Sequence, residues 1–200
     1  LPHPFNPIFR KMQPAKGNAL EPNAFPRRIL LAVTGLNPQV VTETLYALAV
    51  DPQEAPFIPT EVHLVTTAKG AERADLGLLD PKKGRFHAFC ADFGLSEKIH
   101  FPRENIHCLQ GSDGGPLEDI RTEADNAAAA DGITELLRRF TAAPDSALHV
   151  SLAGGRKTLG FFMGYALSLF GRPQDRLSHV LVSEPFESEP QFYYPPPEPE

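Results

Sequence analysis

The feature that most constrains this chain is a repeated order of short apolar runs and helical segments. Five apolar runs predict strands, at residues 29–33, 61–67, 105–109, 147–153 and 177–183. Segments with helical spacing lie between them, at residues 39–50, 68–79, 85–94, 119–141 and 155–170. The run ILLAV at 29–33 is apolar throughout, which is typical of a strand buried on both faces. The pattern predicts an α/β fold, a Rossmann-like, mostly parallel sheet with helices on both faces.

Prolines concentrate at the two ends of the chain. Of the 21 prolines, six lie in residues 1–28 and five in residues 190–200. The first segment has no sustained strand or helix period, and the ending PPPEPE is typical of polyproline II. We therefore expect a proline-rich N-terminal arm at 1–28 that is disordered or lies on the surface, a domain at 29–194, and a proline-rich tail at 195–200.

Composition excludes several classes of protein. The net charge of −6 argues against a protein that coats duplex DNA. No apolar run reaches the ~20 residues of a membrane helix, so we expect no membrane partner. Cys90 and Cys108 are the only cysteines, which excludes a disulfide scaffold and suits a cytoplasmic protein. The seven histidines have no ligand spacing, so neither a metal site nor a cofactor is expected.

The first candidate ligand loop, residues 34–39 (TGLNPQ), joins the first predicted strand to a helix. Ligands of open α/β sheets bind beyond the carboxyl ends of the strands. The hydroxyl of Thr34, the flexible Gly35 and the amides of Asn37 and Gln39 suit a phosphate or a ribose. A plain turn, in which Asn37 caps the helix and Pro38 starts it, explains the same residues.

The second candidate loop, residues 151–158 (SLAGGRKT), follows the fourth predicted strand. Gly154 and Gly155 allow a ligand to approach the backbone closely. Arg156, Lys157 and Thr158 are expected in the first helical turn, where cations oppose the helix dipole. This unfavourable placement suggests that the cations bind an anion, although a solvated basic pair is the alternative. The spacing fits neither a P-loop nor G-x-G-x-x-G.

Two further features concern predicted helices. Arg121 and Asp125 are four residues apart in the predicted helix 119–141 and could pair on one face, or Arg121 could face the ligand. The last helix, 155–170, is apolar nearly all round, so we expect it to be buried. Gly160 and Gly164, one turn apart on it, are expected to pack closely on the sheet.

Two long segments, LLAVTGLNPQVVTETLYAL and SLAGGRKTLGFFMGYALSLFGRPQDRLSHVLVSEPFE, point to a family. Together with GAERA, DIRTEADNAAAAD and ITELLRRFTAAP, they resemble the CRISPR-associated Rossmann-fold (CARF) proteins, and among them the ring nucleases. The resemblance covers roughly residues 29–194. It implies a homodimer that binds cyclic oligoadenylate, a second messenger of type III CRISPR systems, with cyclic tetra-adenylate as the expected ring.

The resemblance also implies roles for individual residues. Ligand binding falls to residues of the two loops: Gly35, Asn37, Gln39, Gly154, Gly155 and Thr158. We add Arg121 to this set, because the third predicted strand should bring its segment to the same sheet edge as the two loops. Lys157 or Arg156 would stabilise a phosphorane, and Thr34 or Asn37 would orient the attacking ribose 2′-OH. Cleavage would need no metal, and it would leave linear RNA ending in 2′,3′-cyclic phosphate and switch off signalling.

Two other functions remain open from the sequence. The chain could be a non-catalytic CARF sensor that binds the ring and controls an attached or partner effector; it begins with Leu1 and ends in a linker-like tail, so it could be part of a longer effector. It could also be a nucleotide-binding α/β enzyme outside CRISPR systems.

Overall fold

A six-stranded sheet forms the centre of the structure, a computed structural model that describes residues 5–11, 21–52 and 55–197. The strands are β1 (Phe5–Lys11), β2 (Arg27–Val33), β3 (Glu61–Thr66), β4 (Ile106–Cys108), β5 (Ser146–Ser151) and β6 (Arg176–Val182). Their order across the sheet is β1-β6-β5-β2-β3-β4. Strands β2 to β6 pair in parallel, and β1 pairs antiparallel with β6. The predicted Rossmann-like sheet is confirmed.

The helices cover both faces of the sheet, as predicted. They are α1 (Val40–Leu45), α2 (Ala68–Ala74), α3 (Arg85–Asp92), α4 (Glu123–Thr141) and α5 (Lys157–Phe170). Short π-helical turns, Tyr46–Val50 and Asp75–Leu79, extend α1 and α2. Within the described residues, no helix has the length and apolar character needed to cross a bilayer.

Strand β2 shows why the core has two halves. Residues 29–33 are fully buried, and successive side chains of a strand point to opposite faces. Leu31 and its alternate neighbours pack against α4 and α5, in a core that includes Leu137 and Met163. Leu30 packs in the other core with Phe89 of α3. Burying each such side chain stabilises the fold by about 1.5–3 kcal/mol, so packing on both faces of β2 stabilises the centre of the sheet.

Three predictions about local structure were wrong. Residues 5–11 form edge strand β1, whereas no strand was expected in the first 28 residues; the division of the chain at residue 28 stays a prediction. Helix α4 begins at Glu123 instead of residue 119. Helix α5 is not buried all round, because Phe161, Tyr165 and Leu169 are more than half exposed.

The predicted close packing of α5 through its glycines was also wrong. A Cβ atom added at Gly160 would meet only the Leu152 carbonyl oxygen, 3.9 Å away. At Gly164 it would meet Leu152 Cδ1 at 3.8 Å. Both distances are ordinary van der Waals contacts, so neither glycine is required for the packing of α5.

Candidate functional site

A cavity of about 920 Å³ opens at the carboxyl ends of the parallel strands. Its walls are the loop after β2, the loop after β5, the start of α2, residues 118–121 before α4, and the C-terminal segment 186–192. The two candidate loops predicted from the sequence therefore line one cavity. Residues 198–200 of the predicted tail lie outside the described residues.

Glycines bring the two loops into contact. A Cβ atom on Gly35 would lie 3.5 Å from Gly155 Cα. On Gly154 it would lie 2.5 Å from the Val33 carbonyl oxygen, closer than real Cβ atoms approach, and 3.0 Å from Val40 Cγ1, a tight contact. Gly155 has φ of +79°, a conformation that side chains disfavour. The glycines of the second loop are therefore required for the wall of the cavity.

Thr34 lines the cavity, and its hydroxyl is bonded within its own loop. Its side chain is fully buried, and its hydroxyl donates to the carbonyl oxygen of Asn37 at 2.7 Å. Thr66 Oγ1 donates to the Thr34 carbonyl oxygen at 2.8 Å. These bonds fix the turn of the first loop and leave the side chain of Asn37 exposed at the cavity. The predicted role of Thr34 in orienting a 2′-OH stays a prediction.

Gln39 lines the cavity with one satisfied and one unsatisfied group. Its Nε2 donates to the Pro190 carbonyl oxygen at 3.1 Å, which ties the first loop to the C-terminal segment. Its Oε1 is buried and accepts no hydrogen bond from the described residues. A buried amide oxygen without a donor is costly, so this atom is a ready acceptor for a ligand.

Arg156 forms an ion pair with Asp119 that the sequence analysis did not predict. Its Nε and a terminal nitrogen donate to the two oxygens of Asp119, at 2.7 and 2.6 Å. Arg121 Nε donates to the same carboxylate at 3.1 Å. The hydrogen bonds from Arg156 and then Arg121 hold the pKa of Asp119 well below its usual range. Arg156 therefore lines the cavity as a fixed, paired cation.

The expected pair between the side chains of Arg121 and Asp125 is not formed. Asp125 lies in the first turn of α4, whereas Arg121 lies before the helix begins. Thr122 caps the helix by accepting from the backbone N–H of Asp125 at 3.1 Å. Asp125 in return accepts from the backbone N–H groups of Thr122 and Arg121, at 3.0 and 3.1 Å. Because this capping box starts the helix after Arg121, that residue lies outside α4, with its guanidinium bonded to Asp119 at the cavity.

Lys157 and Thr158 are exposed and do not line the cavity. The cation that does line it, besides the two arginines, is Lys69 at the start of α2. Lys69 has no ion-pair partner within the described part of the chain. Its position directly after a parallel strand was the sequence signal that could have identified it.

Glu43 is the second functional candidate that the sequence analysis missed. It lies on α1 and lines the cavity, half-buried. Burial raises the pKa of its carboxyl to about 7. Among the described residues its carboxyl has neither a hydrogen-bond donor nor an ion-pair partner. No group of three or more possible metal ligands occurs in the described ranges.

A parallel sheet covered by helices on both faces defines a Rossmann-like α/β domain, and a cavity at its strand ends is where such domains typically bind ligands. The sequence model for the family described as CRISPR-associated protein NE0113 matches residues 37–200. The chain belongs to that family, and the predicted membership of the CRISPR-associated Rossmann-fold proteins is confirmed. The ring nuclease subgroup stays a prediction.

One solved structure with a similar fold is Enterococcus italicus Csm6 bound to cyclic hexa-2′-fluoro-hexa-dAMP. Its sequence is 16% identical, and the TM-score is 0.48. The match covers 80% of this chain and 34% of the Csm6 chain, so this chain spans about a third of that protein's length. A search of curated protein sequences found no match.

Proposed function

We propose that this protein binds cyclic tetra-adenylate as a homodimer and cleaves it without a metal ion. The observation that carries the proposal is the single cavity at the strand ends, in which both candidate loops meet, in a chain of a CRISPR-associated family. A cavity of about 920 Å³ is large enough for a mononucleotide-sized part of a ring. Because a cyclic tetranucleotide has rotational symmetry, two copies of the cavity related by a two-fold axis would match it.

The exposed apolar face of α5 is the surface that we assign to the second copy. Phe161 and Tyr165 stack at 6.1 Å between ring centroids, and Leu169 continues the face one turn later. This helix starts at the second loop, so a dimer through it would bring two cavities toward one axis. In such a dimer Lys157, the exposed first residue of α5, would lie near the axis and outside the cavity lining.

Cleavage by the ring's own ribose requires positioning and charge stabilisation. The 2′-oxygen attacks the adjacent phosphorus, the bond from phosphorus to the 5′-oxygen breaks, and a 2′,3′-cyclic phosphate forms. The 2′-OH loses its proton to water, and the 5′-oxygen takes one. We assign phosphate contacts to Lys69 and Arg156, and orientation of the reacting ribose to Asn37.

The alternative is a sensor that binds the ring without cleaving it. The pairing of Arg156 with Asp119 favours this alternative, because a cation already bound by a carboxylate stabilises a phosphorane less. The hydrogen bond of the Thr34 hydroxyl within its own turn favours it too. In both versions the ligand and the cavity are the same.

The test is incubation of the pure protein with labelled cyclic tetra-adenylate in excess EDTA. Linear products ending in 2′,3′-cyclic phosphate, seen by mass spectrometry, support the nuclease. A 2′-O-methyl ring should bind and resist cleavage because its nucleophile is blocked. A ring that binds and stays intact supports the sensor, and cleavage abolished by EDTA refutes the metal-free scheme. Calorimetry should give about one ring per two chains. Failure of every cyclic oligoadenylate to bind would refute both versions.

We also propose a cytoplasmic location. Both cysteines are free thiols, and Cys90 is buried, as suits a reducing compartment.

A further inference from the structure

Glu43 occupies a corner of the cavity whose other walls are apolar. The next turn of its helix carries Ala47, which is almost completely buried. Ala153, Val182 and Phe192 pack around Ala47, and all three also line the cavity. Such a corner, with a carboxyl group on an apolar and partly aromatic wall, has the chemistry of a site for a flat heterocycle.

A second polar residue of the cavity lining, Gln39, lies one helical turn before Glu43. Gln39 is the N-cap residue of α1 and precedes Glu43 by four residues, so the two residues lie on the same side of the helix. Its buried Oε1 has no donor among the described residues. The corner therefore offers one carboxyl group and one amide oxygen, both without partners in the described chain.

We propose that Glu43, as a neutral carboxylic acid, and Gln39 Oε1 form the polar edge of an adenine-binding subsite in the cavity. The acid O–H donates to a ring nitrogen of adenine, either N1 or N7. The acid carbonyl oxygen and Gln39 Oε1 accept the two hydrogens of the 6-amino group. This inference rests on the proposed cyclic oligoadenylate ligand and names the groups that recognise its base.

The protonation state is central, because a carboxylate has no hydrogen to donate to a ring nitrogen. The charged and titratable groups on elements packed against α1 are Tyr46 on the π-helical turn, Arg85, His87, Cys90 and Asp92 on α3, and Arg176 and His179 on β6. The other charged groups lining the cavity are Lys69, Glu118, Asp119, Arg121, Arg156, Glu187 and Glu189. None of them moves the pKa of Glu43; burial alone raises it to about 7. Binding of adenine should therefore take up a proton near neutral pH.

The experiment is calorimetric titration of cyclic tetra-adenylate between pH 6 and pH 8.5. If only the acid form binds, each occupied subsite raises the Kd of the wild type about 30-fold over this range, approaching tenfold per pH unit above the pKa, so a ring that occupies two subsites shows a rise of about 900-fold. At pH 8.5, titrations in buffers of different ionisation enthalpy should show uptake of about one proton per occupied subsite.

Three variants separate the roles of the side chain. Glu43→Gln keeps a donor and an acceptor, so it should retain the pH 6 affinity and lose the pH dependence. Glu43→Leu removes both groups and should weaken binding about tenfold or more at pH 6. Glu72→Gln, on the exposed surface of α2 and outside the cavity, removes the same charge and should keep the wild-type profile. Thermal melts confirm that each variant is folded.

Two outcomes overturn the subsite: a wild-type Kd that does not change with pH, or a Glu43→Gln variant that keeps the wild-type dependence. If the wild type binds no cyclic oligoadenylate at all, the proposed function fails, and adenosine alone then decides the subsite by NMR titration. Tighter binding of adenosine at pH 6 than at pH 8.5, lost in Glu43→Gln and weakened for 1-deaza- or 7-deaza-adenosine, supports the subsite. Equal binding at both pH values, or none, overturns it.

Discussion

Replacing Gly154 by alanine should damage both the fold and the ligand site. The added Cβ would lie 2.5 Å from the Val33 carbonyl oxygen and 3.0 Å from Val40 Cγ1. Ordinary contacts of a Cβ begin near 3.4 Å, so one neighbour must move by several tenths of an ångström. The oxygen belongs to the fully buried end of β2, which has no free space to accept the shift.

The expected cost follows from this crowding. Overpacking in a tight core costs about 1–3 kcal/mol. In a chain of this size, each 1 kcal/mol corresponds to about 2–4 °C in Tm. The matched control is Gly160→Ala on α5, where an added Cβ meets only an oxygen at 3.9 Å. Alanine in that helix should stabilise the protein by about 0.5–1 kcal/mol.

Urea denaturation of the two variants and the wild type measures the effect directly. We expect the free energy of unfolding to fall for Gly154→Ala and to rise for Gly160→Ala. Calorimetry at pH 7 should show weaker binding of cyclic tetra-adenylate to Gly154→Ala, since the second loop must shift away from Gly35. A Gly154→Ala protein as stable as the wild type, with unchanged affinity, would refute the argument from close contact.

Three further predictions address charge, pH and assembly. Lys69→Ala should weaken ring binding about 10- to 100-fold by calorimetry, as expected for the loss of one charged hydrogen bond. Lys157→Ala removes a cation outside the cavity lining and should weaken binding less. A larger effect of Lys157→Ala than of Lys69→Ala would show that the wrong cation was chosen. Burial lowers the pKa of His149 to about 3, so its neutral form contributes stability that is complete above pH 6.5 and is lost as the pH falls toward 3. The difference in unfolding free energy between wild type and His149→Gln should therefore shrink by about 2 kcal/mol between pH 7 and pH 5 in urea titrations, and a constant difference would contradict this assignment. Phe161→Glu should convert a dimer into a monomer in light scattering after gel filtration, and a wild-type monomer would refute the assigned α5 interface.

The fold was largely predictable because its signals are local. The continuous apolar run of β2 and the spacing of the helices each follow from burial on the two faces of one sheet. Strand β1 was missed because it pairs only with β6, more than 160 residues away along the chain. Its segment contains Pro7 and has no period of its own, so nothing in the local sequence indicates the pairing.

The loops of the site were predictable, and the state of their side chains was not. A strand followed by glycines and a helix places a loop at the sheet edge, and both candidate loops do line the cavity. The pairing of Arg156 with Asp119 joins residues 37 positions apart, and it depends on where α4 begins. Helix α4 begins late because Thr122 and Asp125 form a capping box, a signal present in the sequence but not used.

The balance of charge in the cavity links the proposed ligand to the proposed state of Glu43. The described lining residues include three cations, Lys69 and two arginines, and five carboxyl groups. Both arginines already bind Asp119. A second copy of the chain would double the cations and the carboxyl groups alike, so the carboxyl groups would still outnumber the cations. A ring with about one negative charge per phosphate is therefore not held by a positive field, as it is in duplex-binding proteins. It must be held by directional hydrogen bonds from the loops and by contacts to its bases. Each carboxyl group that becomes neutral reduces the repulsion, and Glu43 is the one whose pKa of about 7 allows this at neutral pH. Recognition of the base and tolerance of the phosphates would then depend on the same proton.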